Sequence, residues 1–156
     1  MKQTCLYTLL IALLVLFGGC KKNKWIDWKT QNAVWLAVNK QKEGVITTPT
    51  GLQYKVLHQG IKGTKPDMLK NVRIRYSGTL ITGNVYEPMT ESSFAVSDVV
   101  EGLAEGLKKM TQSGHYIFYI PQELGYGSDA QGTEGYDSFI PPYSTLIIDV
   151  ELLEVY

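Results

Sequence analysis

The sequence has few of the residues that build metal sites and covalent catalysts. Its 156 residues include two cysteines and two histidines. Cys5 and Cys20 both lie near the amino terminus, so they cannot form a disulfide framework or a thiolate metal site. His58 and His115 each stand outside any ligand-spaced pattern, which favours a structural or surface role for both. We therefore expect no metal ion and no cofactor.

The sequence also lacks the motifs of several common enzyme classes, and it carries no net charge. It contains no GxSxG elbow, no phosphate-binding loop and no dinucleotide-binding fingerprint. Fifteen basic and fifteen acidic residues balance, and no basic cluster suggests a phosphate backbone. Nucleic acid is therefore not expected as a partner. The length allows one domain with a real core and additional segments.

The amino-terminal residues have the layout of a secretory signal peptide. Lys2 precedes an apolar run from about Leu6 to Phe17, which is too short to span a bilayer comfortably. The Gly-Gly-Cys ending at Cys20 resembles a bacterial lipobox, in which cleavage precedes the cysteine and its thiol receives lipid. We expect residues 1–19 to be a lipoprotein signal peptide and Cys20 to anchor the mature chain. An ordinary signal peptide with a chance cysteine is the alternative.

Residues 20–50 are predicted to form a lipidated amino terminus, a helix and a linker. Three tryptophans and several aliphatic residues predict a helix from about Trp25 to Gln41. Gly44 and the Thr-Thr-Pro sequence that ends at Pro49 predict a linker. The simplest role for this helix is a spacer packed on its own domain, and a dimer contact or an accessory substrate surface are the alternatives.

From Gly51 the apolar pattern changes to a period of two, which predicts strands. The predicted strands are Gly51–Gly60, Asn71–Leu80, a short strand that starts at Val85 and is broken by Pro88, His115–Pro121 and Ser144–Tyr156. Residues 125–142 form a long loop rich in glycine, aspartate, serine and tyrosine. Loops of this length in a compact domain tend to be functional.

One helix is predicted within this strand-rich region, from Ser97 to Gly114. Its apolar residues recur at three- and four-residue steps, which is typical of one helix face. Ser97 and Asp98 are expected to cap its start, and Gly114 to supply a left-handed exit. Its first turn is expected to form the base of a small apolar pocket.

Seven short motifs occur in a fixed order within residues 51–156. They are Gly51-Leu52-Gln53-Tyr54, Val72-x-Ile74-x-Tyr76-x-Gly78-x-Leu80, Gly83-x-x-Tyr86-Glu87, Val99-Val100-x-Gly102, Glu105-Gly106-Leu107-x-x-Met110, Ile120-Pro121-x-x-Leu124-x-Tyr126-Gly127 and Ile140-Pro141-Pro142-x-x-x-Leu146-x-x-Asp149-Val150-Glu151-Leu152-Leu153. Together they resemble the FKBP-type peptidyl-prolyl cis–trans isomerases. With the lipobox, the GLQYKVL lead-in resembles envelope lipoproteins of this family from Gram-negative bacteria of the Bacteroidetes type.

The resemblance implies an α+β fold for residues 51–156. In this family a bent antiparallel sheet of five or six strands wraps around one short helix, and here an additional amino-terminal helix would precede it. The ligand pocket would lie between the helix and the sheet, under the loop before the last strand.

The resemblance also implies which residues form the site. The implied catalytic residues are Tyr76, Glu87 and Tyr126, and the implied substrate-binding residues are Tyr86, Phe94, Val99, Val100, Leu103, Phe139, Ile140 and Ile148. Several differ from the usual family residue: Leu103 replaces a tryptophan, Ile148 and Tyr86 replace phenylalanines, and Glu87 replaces an aspartate. These departures predict a lowered isomerase rate and weak binding of macrolide ligands.

The implied function is prolyl isomerisation that assists the folding of periplasmic or envelope proteins. The partners would be proline-containing polypeptide segments and, through the lipid on Cys20, the periplasmic face of the outer membrane. Two alternatives remain open at this point. One is a non-catalytic binding or chaperone module in the envelope, and the other is a purely structural lipoprotein.

Overall fold

The computed structural model of the chain describes residues 24–61 and 63–156. The predicted signal peptide and Cys20 lie outside these residues. The described part contains two α-helices and six strands: α1 (Ile26–Asn39), β1 (Val45–Thr47), β2 (Gln53–His58), β3 (Asn71–Thr79), β4 (Val85–Ala95), α2 (Glu101–Leu107), β5 (His115–Ile120) and β6 (Leu146–Val155). Two short 3₁₀ turns, Val96–Asp98 and Gln122–Leu124, precede α2 and follow β5.

The strands form a single sheet of six in the order β1-β2-β5-β6-β3-β4. Every neighbouring pair is antiparallel. The final strand β6 is central, since Val150 lies opposite Tyr76 of β3 and opposite Tyr116 of β5. The predicted α+β fold, a five- to six-stranded antiparallel sheet with one short helix after an amino-terminal helix, is confirmed.

The core lies between the inner face of this sheet and α2. Alternate residues of β6 are buried, with Val150 and Leu152 at 0 % exposure, as the period of two predicts. Leu103 and Leu107 of α2 belong to the same buried cluster. Burial of this apolar surface is the main force that holds the short helix, because seven residues are too few for an isolated helix in water.

The predicted start of the second helix is wrong. The helix begins at Glu101, and Val100 is its N-cap residue with extended backbone angles of −55° and 146°. Ser97 and Asp98 lie in the preceding 3₁₀ turn, where the Ser97 hydroxyl donates a hydrogen bond to Asp98 Oδ1 at 3.0 Å and not to the helix. The chain is therefore extended at Val99 and Val100 before the helix starts.

The predicted end of this helix is also wrong. It ends at Leu107, and the residue with a left-handed backbone is Ser113, at a φ of 64°, and not Gly114. Gly114 has another role, since a Cβ atom there would lie 2.8 Å from the carbonyl oxygen of Thr111. The glycine allows a close backbone approach in the turn before β5.

Pro88 does not break the fourth strand, which continues for 11 residues. Because β4 is an edge strand, a residue without an N–H group need not interrupt a ladder of hydrogen bonds. Gly78 pairs with Glu87 and Tyr76 pairs with Thr90, so two residues, Pro88 and Met89, lie opposite one. The proline therefore sits in a β-bulge.

The predicted linker contains a strand that the sequence pattern did not indicate. Val45 to Thr47 form β1, which adds to the sheet edge with Val45 opposite Lys55. Three residues are too few to show a period of two, so this strand is recognised only by its pairing with β2.

Helix α1 packs on the sheet domain through hydrogen bonds as well as apolar contacts. Asn32, 3 % exposed, accepts a hydrogen bond from the Thr145 backbone N–H at 2.7 Å. Trp28 Nε1 donates to Ser144 Oγ at 3.0 Å, and Asn39 Nδ2 donates to the Gln53 side chain at 3.0 Å. Among the described residues, neither helix has the length and apolar content needed to cross a membrane.

Candidate active site

A cavity of about 410 Å³ opens between the sheet, the start of α2 and the loop of residues 125–142, here called the covering loop. Its walls come from β3, β4, β6, α2, the segment between β4 and α2, and the covering loop. The lining residues are Tyr76, Tyr86, Glu87, Phe94, Asp98, Val99, Val100, Leu103, Tyr126, Ser138, Ile140, Leu146 and Ile148. All of the eleven residues predicted for the site line this cavity except Phe139.

The prediction that Phe139 lines the cavity is wrong. Its ring packs on Trp25, with ring centroids 6.1 Å apart. Ile140, the next residue, is 5 % exposed and faces the cavity. Ile140 and Gln131 exchange backbone hydrogen bonds of 2.9 and 3.0 Å, so the backbone is extended there and adjacent side chains point to opposite sides. Phe139 therefore joins the covering loop to the segment that precedes α1.

Three lining residues were absent from the prediction. Leu146 lies two residues before Ile148 on β6, and the period of two could have indicated it. Asp98 precedes Val99, and its place in the cavity follows from the 3₁₀ turn that replaces the predicted first turn of helix. Ser138 comes from the covering loop, where the sequence offers no periodic signal.

Tyr76 and Tyr86 form neighbouring walls because β3 and β4 are paired. The Tyr86 ring lies directly over Gly78: a Cβ atom at Gly78 would be 2.4 Å from two ring carbons of Tyr86 and 2.6 Å from its hydroxyl oxygen. Only glycine leaves this space. The motif residue Gly78 therefore fixes the position of an aromatic wall.

The Tyr86 hydroxyl is a buried polar group in an apolar site. It has no hydrogen-bond partner among the described residues. Burial raises the pKa of Tyr86 well above its ordinary value, with smaller contributions from Tyr126, Glu87 and Tyr76. Burial, followed by the charge of Glu87, also raises the pKa of Tyr76. Both phenols therefore stay protonated and neutral at physiological pH.

The base of the cavity is formed by Val99, Val100 and Leu103. Both valines are extended and half-buried, so their side chains line the cavity instead of packing along a helix face. Leu103 is 6 % exposed and belongs to α2. The base of the cavity is therefore aliphatic throughout and contains no aromatic ring.

Tyr126 lies at the rim, where its side chain is 38 % exposed. The turn that holds it is fixed by Gly127, whose φ is 58° and whose N–H donates to the Gln122 carbonyl at 2.9 Å. The Gly127 carbonyl in turn accepts a hydrogen bond from the Tyr143 N–H at 2.7 Å. A hydroxyl donor is thus held at the cavity mouth by both ends of the covering loop.

The arrangement suits binding better than covalent chemistry. The cavity contains no serine, cysteine or lysine paired with a base, and its polar groups are phenols, carboxylates and one serine hydroxyl. In the part of the chain that the structure describes, no group of three or more His, Cys, Asp or Glu residues could hold a metal ion. Such a cavity can bind an apolar segment and orient it with a few hydrogen bonds.

The variant Tyr86→Phe is expected to be more stable than the wild type by about 1 kcal/mol at neutral pH, because it removes a buried hydroxyl without a partner. It should also lose less stability in alkali. The folded pKa of Tyr86 is raised, so the folded state retains a proton that the unfolded chain releases above about pH 10. The ionisation of this group therefore leaves wild-type stability unchanged below about pH 10 and lowers it as the pH rises further.

Urea denaturation at neutral pH and at about pH 11 measures both effects. Tyr136→Phe is the matched control, since Tyr136 is 72 % exposed and its hydroxyl is solvated. Equal unfolding free energies for Tyr86→Phe and wild type at both pH values would contradict the burial of an unpartnered hydroxyl at Tyr86.

Comparison with known proteins agrees with this geometry. Residues 62–153 match the family model described as FKBP-type peptidyl-prolyl cis-trans isomerase. Residues 21–56 match the model described as a domain amino terminal to FKBP-type peptidyl-prolyl isomerase. The chain is 39 % identical over 139 residues to the FKBP-type 22 kDa peptidyl-prolyl cis-trans isomerase of Escherichia coli, with 86 % of this chain and 65 % of that protein covered.

Two further similarities concern an outer-membrane protein and a solved structure. The outer membrane protein MIP of Legionella longbeachae is 34 % identical, with 81 % of this chain and 54 % of that protein covered. The crystal structure of FkpA from Escherichia coli superposes with a TM-score of 0.73 at 36 % identity, covering 83 % of this chain and 59 % of that one.

The chain thus spans about half to two thirds of the length of these relatives. The family match covers most of the described residues, including every residue that lines the cavity. The sequence motifs, the sheet topology and the position of the cavity all agree with it. This chain belongs to the FKBP-type peptidyl-prolyl cis–trans isomerase family.

Proposed function

We propose that the chain catalyses the cis–trans isomerisation of X-Pro peptide bonds in other polypeptides. One observation carries this proposal: Tyr76, Tyr86 and Tyr126 line the same cavity, around the aliphatic base formed by Val99 and Val100. The names of the relatives described above support the same activity. Because the chain spans only part of those relatives, the proposed activity depends on the geometry of this site and not on their names alone.

The chemistry requires no nucleophile. Rotation about a peptide bond loses conjugation and has a barrier of about 18–20 kcal/mol, which makes X-Pro isomerisation slow. The twisted amide has a less polar carbonyl group than the planar amide, so it loses less hydration when it enters an apolar site. A cavity of this kind binds the twisted amide in preference to the planar one, and this difference in binding lowers the barrier.

Three residues are assigned catalytic roles in this proposal. The Tyr126 hydroxyl, at the rim, donates a hydrogen bond to a substrate carbonyl oxygen and fixes the peptide direction. Tyr76 is an aromatic wall beside the proline ring. Glu87 follows Tyr86 in β4, lines the same cavity as Tyr76 and Tyr86, and offers an acceptor on that wall. Phe94, Ile140 and Ile148 complete the apolar lining.

The full-length chain in detergent is expected to accelerate cis–trans exchange of a short X-Pro peptide, measured by magnetisation exchange in NMR. Tyr126→Phe should lower the acceleration about tenfold, because one hydrogen bond to the substrate is worth about 1–1.5 kcal/mol. Tyr156→Phe is the matched control, since Tyr156 is also exposed but lies at the end of β6, outside the cavity. An acceleration unchanged by Tyr126→Phe would contradict the role of this hydroxyl.

A second candidate function is a non-catalytic binding module. Leu103 favours it, because the base of the cavity lacks the aromatic plane that is usual in the family. The same substitution, together with Ile148, reduces the aromatic surface available to a macrolide ligand. Peptide binding without any acceleration of exchange in the NMR experiment would support this second function and contradict the first.

We further propose that Cys20 carries lipid and that the protein lies in the cell envelope, on the periplasmic face of the outer membrane. The lipobox-like sequence before Cys20 supports the anchor, and the name of the Legionella relative supports the location. The wild-type chain produced in a Gram-negative bacterium should incorporate labelled fatty acid, and Cys20→Ser should not. Absence of label from the wild-type chain, or equal label in both chains, would contradict the anchor.

A further inference from the structure

A second cavity adjoins the proposed proline site. It has a volume of about 510 Å³ and is lined by Val85, Tyr86, Pro88, Tyr136, Asp137 and Ser138; we call it the side groove. Tyr86 and Ser138 line both cavities, so the side groove lies directly beside the proposed site. A polypeptide that places its proline in one cavity can place neighbouring residues in the other.

The side groove is built by two irregular features of the fold. One wall is the β4 bulge at Pro88, and the other is the covering loop around Tyr136. Tyr136 is 72 % exposed and Val85 is 48 % exposed, so the apolar surface is open to a ligand. Aromatic and aliphatic side chains of this kind suit the stem of a long side chain.

The charges along both cavities have one sign. Glu87 and Asp98 line the proposed proline site, and Asp137 lines the side groove. No lysine, arginine or histidine lines either cavity. Among the described residues, none of these three carboxylates forms an ion pair, although Asp98 accepts a hydrogen bond from the Ser97 hydroxyl.

The two arginines of β3 are already paired elsewhere. Arg73 forms ion pairs with Glu91 and Glu154, and Arg75 pairs with Glu91 and Glu151. Tyr76 follows on the opposite face of the strand and lines the cavity. The negative charge at the site is therefore left for a ligand to balance.

We propose that the side groove binds substrate residues next to the proline and that Asp137 in the groove, with Glu87 and Asp98 in the adjoining cavity, selects a lysine or arginine there. This inference rests on the proposed function, because it assigns a sequence preference to the same site. A cationic side chain can lay its apolar stem along Tyr136 and place its charge beside Asp137. An acidic residue at the same position is repelled, so the selection has a negative component as well as a positive one.

Two peptide series test the proposal with the full-length chain in detergent. Each peptide has the same X-Pro unit, with lysine, glutamine or glutamate placed either before it or after it. NMR titration gives the affinity, and magnetisation exchange in the same sample gives the rate. One unit charge at about 4 Å in water changes binding about fivefold, so lysine and glutamate peptides should differ by about tenfold or more in one series.

The difference should decrease towards onefold in about 1 M salt, where charges are screened within about 3 Å. Asp137→Asn and Glu87→Gln should each reduce the lysine-to-glutamate ratio about fivefold. Glu43→Gln is the matched control, since Glu43 is exposed in the turn before β1 and should leave the ratio unchanged.

The outcomes separate this inference from the proposed function. Equal affinities and rates for the three peptides in both series overturn the inference, whether or not the peptides are isomerised. A lysine preference that neither Asp137→Asn nor Glu87→Gln reduces also overturns it. Lysine-selective binding without any acceleration of exchange supports the side groove and contradicts the isomerase activity.

Discussion

Val100→Asp is expected to lower the isomerase activity toward a neutral peptide by about 100-fold or more. Val100 lies half-buried at the base of the cavity, and Glu87 and Asp98 line the same cavity. A third carboxylate there is unpaired and repelled by its neighbours, so it keeps water in a site that must be apolar. The cost of bringing an apolar substrate against such a group is several kcal/mol, and about 2.7 kcal/mol corresponds to 100-fold.

The same variant should remain folded, which makes the prediction informative. Val100 is the N-cap residue of α2, and no side chain caps this helix. Aspartate is among the preferred N-cap residues, and its charge is favourable at a helix amino terminus. The unfolding free energy in urea should therefore change by less than about 1 kcal/mol.

Val34→Asp provides the matched control for an added carboxylate. Val34 is 58 % exposed on α1, away from the cavity, so both activity and stability should resemble the wild type. Magnetisation exchange measures activity for the three chains. Wild-type activity in Val100→Asp would show that proline binds elsewhere on the protein.

The parts of the fold that the sequence predicted best are those with a strong local pattern. In β3, Val72 and Ile74 alternate with two arginines, and the aliphatic residues are 0 % exposed in the structure. Such alternation allows one orientation of the strand, because a shift by one residue would bury the arginines. The aromatic and aliphatic residues of the site were found because they lie on or next to such strands.

The errors occur where distant residues decide the local structure. Val99 and Val100 have helical spacing, but β-branched residues are also suited to the extended backbone that both adopt in the structure. Pro88 is compatible with a strand only because β4 is an edge, which depends on the order of strands in the sheet.

Phe139 illustrates the same limit at the site. Its partner, Trp25, precedes it by more than 100 residues in the sequence, and no local pattern links the two. The covering loop has little periodicity, so the choice between Phe139 and Ile140 as the cavity residue required coordinates. The side groove was not predicted at all, since it needs both the β4 bulge and the covering loop.

Gly102→Ala is expected to destabilise the protein by about 2 kcal/mol, although alanine is the better helix former by about 1 kcal/mol. Gly102 lies in α2 where the helix contacts β5. A Cβ atom there would be 2.4 Å from Ile120 Cγ2 and 3.1 Å from Leu124 Cβ. Ile120 is 0 % exposed, so its side chain has no free space to move into. The close contact therefore outweighs the gain in helix propensity.

A double-mutant cycle with Ile120→Ala tests this explanation of Gly102→Ala. Ile120→Ala alone should cost about 2–5 kcal/mol, because it leaves a cavity in the core. The double variant should be at least about 1 kcal/mol more stable than the sum of the single changes, since the new methyl group occupies part of that cavity. Gly63→Ala is the control, as no atom lies within 4 Å of a Cβ there. Additive free energies in urea denaturation would show that Gly102 is not required by contact with β5.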